Sequence, residues 1–283
     1  MAARRIQAGF TLLEAIVSLV ILGILAGMVA VFIRAPVDAY VDTARRAALT
    51  EAADGAIRRI GRDIQSALPN SFRPPADGST ACFEFLPVLG SGRYRVERDG
   101  SNSATDDVLD FSLADNGFDV LAQIGLDTLS GTNHVVVYNL GIPGASAYNS
   151  PAQNRAQIQS VNFPAPGGAT ARIALNGTFQ FPFESPSRRF QVIGNESVVY
   201  TCAGNSIWRS TRALGSAALA SCPAAGGAEL VGNVDCTQSF FNYAPANATR
   251  QGMVEIRLTM SALTPTGVES IRLYDRVSVN NAP

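Results

Sequence analysis

A run of 19 residues without a charged side chain, Ala15–Ile33, follows directly on a lone glutamate, Glu14. From Phe10 to Ile33 there are 24 residues, and Glu14 is the only charged one. As a helix such a segment is ~36 Å long, enough to cross a bilayer core of ~30 Å. A carboxylate inside it is expensive and by default marks a functional position. Glu14 is the fifth residue of the stretch, next to Gly9-Phe10, a junction that a peptidase can cut. The preceding leader, Met1–Gly9, is short and carries Arg4 and Arg5. A secretory signal peptide would have an apolar region of ~7–15 residues and then a small-residue cleavage site. This region is longer, and no such site clearly follows it. An ordinary single-span anchor gives no reason for Glu14. Charge counting does not orient the span, because Arg4 and Arg5 on one side face Arg34, Arg45 and Arg46 on the other.

The combination resembles the prepilin signature of type IV pilins and type II secretion pseudopilins. That resemblance implies cleavage after Gly9 by a prepilin peptidase and methylation of the new Phe10 amine. It implies that Glu14 is the family's buried carboxylate and acts in filament assembly. The implied partners are the peptidase, other minor pilins, the major pilin, the inner-membrane assembly platform and, before assembly, membrane lipid. The implied location is a single pass through the bacterial inner membrane with a periplasmic head, and later the tip of a pilus or pseudopilus. The implied fold is α+β: a long N-terminal helix packed on a mainly antiparallel, β-rich head.

Downstream, Val41, Ala44, Ala48, Ala52, Ala56, Ile60, Ile64 and Leu68 recur every three or four residues, the stripe of an amphipathic helix. Asp42–Arg46 and Asp54–Arg58 are spaced for ion pairs along it. Pro36 should kink the helix, and Pro69-Asn70 should end it. The organisation expected is leader 1–9, membrane helix 10–33, amphipathic continuation 34–68 and head 69–283. The head reads as strands near 81–87, 93–98, 108–113, 134–140, 171–175, 189–193, 197–202, 206–209, 238–243, 253–264 and 269–279. Gly194-Asn195 and Gly204-Asn205 look like hairpin turns, which makes 189–209 a three-stranded meander. Gly267 marks a further turn. Loops are expected at 74–79, 142–153, 164–168 and 213–228.

A net charge of -1 and a pI near 5.9 give no electrostatic case for nucleic acid. All 22 basic residues are arginine, which excludes lysine chemistry. Cys82, Cys202, Cys222 and Cys236 contain no C-x-x-C pair, and an even count fits two disulfides in an oxidising compartment. Cys222–Cys236 and Cys82–Cys202 are the expected pairs, although four cysteines allow three connectivities. No catalytic residue, cofactor or metal is expected. Asp106, Asp107 and Asp110 near Asn102 suggest a calcium loop, but the glycine and glutamate of an EF-hand are missing, and a solvated strand edge explains Asp107 and Asp110. His134, the only histidine, reads as a strand residue satisfied by local hydrogen bonds. Trp208 reads as core or interface packing.

Val198–Cys202 with Ser206–Arg209 resembles the pattern of J-type pseudopilins and PilW-like minor pilins. Arg272–Pro283 and Ala81–Pro87 are similar to segments of MshO-type minor pilins of mannose-sensitive haemagglutinin pili. These resemblances imply a non-enzymatic minor pilin that starts or caps a filament. The alternatives are a J-type pseudopilin or an adhesive module at the tip.

Overall fold

The apolar run and the stripe that follows it form one helix: α1 runs Leu12–Gln65 as one element, 54 residues long. It continues through Pro36, so the proline removes one backbone bond without ending the helix. The computed structural model describes residues 10–98, 106–127, 129, 131–165, 168–246, 251–264 and 267–279. Gly9 and the rest of the leader, and Asn102 of the suggested calcium loop, lie outside them. The chain divides after Glu51 into two compact units.

In the first unit most apolar side chains are exposed, and Leu49 is buried. Phe10, Leu12, Leu13, Leu19 and Phe32 are all exposed. Asp42 pairs with Arg45 at 2.9 Å. The second unit begins with the last turns of α1, where Ala53, Ala56, Ile57, Ile60 and Ile64 are buried. The expected stripe is therefore correct at Ala56, Ile60 and Ile64, whereas Ala44, Ala48 and Ala52 are exposed. Asp54 and Arg58 form the expected ion pair on the wet side, with Nε to Oδ2 at 2.8 Å.

Among the described residues thirteen strands follow: β1 Cys82–Phe85, β2 Val88–Tyr94, β3 Asp115–Ile124, β4 His134–Val137, β5 Arg155–Asn162, β6 Ala171–Phe179, β7 Arg189–Ile193, β8 Glu196–Ala203, β9 Ser206–Ala213, β10 Ala228–Val231, β11 Phe240–Ala244, β12 Met253–Thr264 and β13 Gly267–Ser278. All strand pairs are antiparallel. They form a closed barrel, β2-β3-β6-β5-β4-β7, a four-stranded sheet, β1-β8-β9-β10, and a three-stranded sheet, β11-β12-β13. Together with α1 this is the α+β, pilin-like architecture expected from the sequence.

The barrel core is filled by period-two side chains: Val135 and Val137 of β4, Phe190 and Val192 of β7, Phe118 and Val120 of β3. The intervening Val136 and Ile193 pack outside, with Leu68, Leu86 and Ala147. At Gly92 a Cβ would stand 2.6 Å from the Phe190 ring, so glycine lets that ring lie against β2.

Three expectations are corrected here. Residues 189–209 are not a meander: β7 pairs with β2 and β4 in the barrel, whereas β8 pairs with β1 and β9 in another sheet. The chain changes sheets at Gly194-Asn195, and only Gly204-Asn205 is a hairpin turn. Residues 108–113 are not a strand. The Asp110 side chain accepts the N–H groups of Ser112 (2.7 Å) and Leu113 (3.3 Å), which folds the backbone into a turn. The strand begins at Asp115 instead. Finally, β5 and β10 lie where no strand was expected.

Candidate functional site

The sequence feature that carries function is the start of α1. Thr11 is its N-cap: the Ala15 N–H donates to the Thr11 carbonyl at 3.1 Å and the Glu14 N–H to Thr11 Oγ1 at 3.3 Å. Thr11 and Glu14 thus have the spacing of a capping box, a signal readable in Thr-x-x-Glu that the hydrophobic pattern obscured. Glu14 lies in the first turn, where the positive end of the helix dipole favours a carboxylate. That carboxylate makes no hydrogen bond or ion pair among the described residues. Phe10 is 72% exposed. By length and composition α1 is apolar enough to cross a membrane, and its most apolar window is unburied.

In the head, sequence reasoning missed the polar centres. Glu84 is fully buried in β1, every residue of which is buried. Arg73 grips it with both ends of its fork, Nε to Oε2 and Nη2 to Oε1, each at 3.0 Å. Arg212 Nη1 donates to Oε2 at 2.9 Å, and the Ser197 hydroxyl donates to Oε1. Asp63, in the last turns of α1, accepts from the Tyr200 hydroxyl (2.8 Å) and from Arg209 Nε (3.0 Å), which fastens this end of the helix to β8 and β9. Burial and this carboxylate push the Tyr200 phenol well above its ordinary pKa. Glu84 carried a readable signal, a charge between Phe83 and Phe85; Asp63 carried none, because its partners lie more than a hundred residues away.

Two of the three aspartates suggested for calcium face arginines, and Asp110 instead accepts from Ser112 and Leu113. Asp106 bonds Arg95 at 3.2 Å, and Asp107 faces Arg172 at 3.6 Å. Arg172 also bonds the buried Asp119 at 2.7 Å. Asp106 is buried, whereas Asp107 and Asp110, read as a solvated edge, are partly exposed. Among the described residues no group of three His, Cys, Asp or Glu side chains is placed to hold a metal. His134 is half-buried in β4, and its Nδ1 has no hydrogen-bond partner, contrary to expectation. Burial, and then the charge of Arg155, hold its imidazole below the ordinary value. Trp208 is partly buried on β9 and donates to the Ala203 carbonyl at 3.2 Å.

All four cysteines are in disulfides, but with a different pairing: Cys82–Cys222 and Cys202–Cys236. The expected Cys222–Cys236 and Cys82–Cys202 are not formed. In the β1–β8 ladder Cys82 lies opposite Thr201. Cys202, one residue on, therefore points to the other face of the sheet and cannot meet Cys82.

Residues 4–30 match the family model described as Prokaryotic N-terminal methylation motif. The match spans the Gly9-Phe10 junction, the Thr11 cap and Glu14, and it supports a type IV pilin or pseudopilin. No curated protein and no solved structure matches the chain.

Proposed function

We propose that this chain is a minor pilin of MshO type that helps to initiate or cap a type IV pilus of the mannose-sensitive haemagglutinin class. The observation that carries the reading is the methylation motif over residues 4–30, joined to an exposed apolar helix whose only early charge is Glu14. A prepilin peptidase cuts after Gly9 and methylates Phe10. The leader then lies in the cytoplasm, residues 10–33 cross the inner membrane, and the head lies in the periplasm, where disulfides form. In a bundle of such helices Glu14 meets the new amine of its own or a neighbouring subunit. A charge left alone in hydrocarbon is penalised, so a subunit adds in the register that pairs both. The partners are the other minor pilins, the major pilin and the assembly platform, and the protein ends at the filament tip. Its role is structural rather than enzymatic.

A J-type pseudopilin of a type II secretion system is the second reading. It is favoured by the Val198–Cys202 and Ser206–Arg209 pattern, which lies on the β8–β9 hairpin. Mass spectrometry of membrane-extracted protein tests what both readings share. The expected mature start is N-methylated Phe10, and Gly9→Ala should block processing. An intact Met1 start in cells with an active prepilin peptidase would sink both. Co-purification with pilus subunits rather than secretion pseudopilins separates them.

A further inference from the structure

A groove of about 580 Å³ lies on the outer face of the barrel, over β2, β3 and β7, with Gln65 of α1 among its walls. Strand register decides which side chains line it. Arg93 of β2 stands opposite Arg189 of β7 on one side and Ala122 of β3 on the other. Two residues earlier, Ser91 stands opposite Gln191 and Ile124. The neighbouring Tyr94 and Phe190 fill the barrel core, so Arg93 and Arg189 point outward. Leu89 sits at the register shift between Val88 and Gly90, and such a bulge re-aims a side chain. Leu89 is 48% exposed, and Ile124 is 77% exposed.

The groove therefore has a cationic end and an apolar end. Directly opposed residues of antiparallel strands have Cβ atoms ~5 Å apart, and like charges placed there repel. Arg93 and Arg189 are both exposed, and neither side chain makes a hydrogen bond or ion pair among the described residues. Glu97, just beyond β2, faces Arg188 instead, at 3.9 Å. No aspartate or glutamate lines the groove. Elsewhere in the head Arg73, Arg95, Arg172, Arg209 and Arg212 each meet a carboxylate. Two accessible cations held side by side, next to uncovered aliphatic side chains, fit a ligand that is acidic at one end and apolar at the other.

We propose that this groove docks an acidic and apolar segment of a partner protein. Two neighbouring carboxylates seat on Arg93 and Arg189, and a large aliphatic or aromatic side chain lies between Leu89 and Ile124. Each guanidinium can grip a carboxylate with two hydrogen bonds. β2 is paired on both sides within the closed barrel, so the segment is read by side chains and not by strand addition. Two arginines are fewer than the ~4–8 basic residues that hold a protein on an anionic membrane. A free phosphate would satisfy the cations and leave Leu89 and Ile124 in water. The groove belongs to the head, so the assignment stands apart from the processing and assembly of α1.

Fluorescence anisotropy of the full chain in detergent tests the groove with a labelled peptide carrying two glutamates followed by leucine and phenylalanine. Saturable binding with a Kd below ~1 mM is expected, weakening as salt screens the exposed charges. Glutamine in place of the glutamates, or glycine in place of the apolar pair, should weaken binding ~10-fold. Arg93→Gln and Arg189→Gln should each weaken it ~5-fold, the worth of an exposed ion pair, and Ile124→Ser ~10-fold. All three side chains are exposed, so the variants should stay folded. Arg189→Gln relieves a like-charge pair and should melt no lower than the parent, an outcome that a merely structural arginine would not give. The proposal is overturned if the peptide does not saturate below ~1 mM or if its glutamine version binds as tightly. It is also overturned if inorganic phosphate or phosphatidylglycerol in mixed micelles displaces the peptide at equal concentration, or if the substitutions leave the affinity unchanged. Such a failure beside a normal N-methylated Phe10 start would remove the docking groove alone.

Discussion

Two glutamates divide this molecule. Glu14 lies in the first turn of a helix of exposed apolar side chains, and its carboxylate makes no hydrogen bond or ion pair among the described residues. Glu84 is fully buried in the head and receives donors from Arg73, Arg212 and Ser197, the last two more than a hundred residues away in sequence. The same side chain is thus satisfied from within the chain in one unit and has no such partner in the other. Across the head, carboxylates and arginines are matched by the tertiary fold: Asp63 with Arg209, Asp106 with Arg95, Asp119 with Arg172. A helix whose exposed apolar side chains and early carboxylate find no partner among the described residues suits the membrane and assembly role proposed for it.

The contrast can be broken most directly through the covalent ties of the head. Replacing Cys82 and Cys222 by serine opens a closure of 140 residues, which in the chain-entropy model removes ~5 kcal/mol. The melting temperature should fall steeply, and peptide mapping without reductant should recover Cys82 linked to Cys222. Recovery of a Cys82–Cys202 peptide would refute the register argument. Next in size, Glu84→Gln leaves two arginines without their counter-charge and should destabilise the head by ~3 kcal/mol, read by chemical denaturation. Both arginines are partly exposed, so the loss should fall at the low end for a buried pair.

A smaller effect belongs to His134. Its imidazole is held below 6.5, so the unfolded chain takes up the proton more readily. The stability it contributes is complete above pH ~6.5 and is lost as the pH falls through the folded-state value. Nuclear magnetic resonance of the single imidazole gives that value directly. A midpoint above 6.5 would contradict its burial. The smallest effect sharpens the comparison most: Glu14→Ala should leave the unfolding of the head unchanged while abolishing recruitment into the filament. Normal piliation in that variant would remove the proposed role of Glu14.

Much of the helix was legible because its signals are local. Length, apolarity and the three-and-four spacing of the later stripe act within a few turns, and backbone bonds of an α-helix close within four residues. Strands with dense β-branched and aromatic runs, such as Met253–Thr264 and Glu196–Ala203, were legible for the same reason. The strand Asp115–Ile124 was not, because it contains Asp115, Asn116 and Gly117, residues of low strand propensity, and owes its existence to pairing with β2 and β6. Arg155–Asn162 alternates polar with apolar side chains too weakly to declare itself, and closes the barrel only because β4 and β6 lie beside it.

By itself the sequence determined the N-terminal segment: a methylation motif over residues 4–30, a span long enough for a bilayer, and one carboxylate five residues in. It also determined that the head is β-rich and that four cysteines pair. Only the tertiary structure decided which cysteines meet, which sheet each strand joins, and which arginine answers each buried carboxylate. Those choices turn on side-chain face and on contacts between residues tens to hundreds of positions apart. A shift of one residue, as between Thr201 and Cys202, reverses the face without altering composition or local pattern.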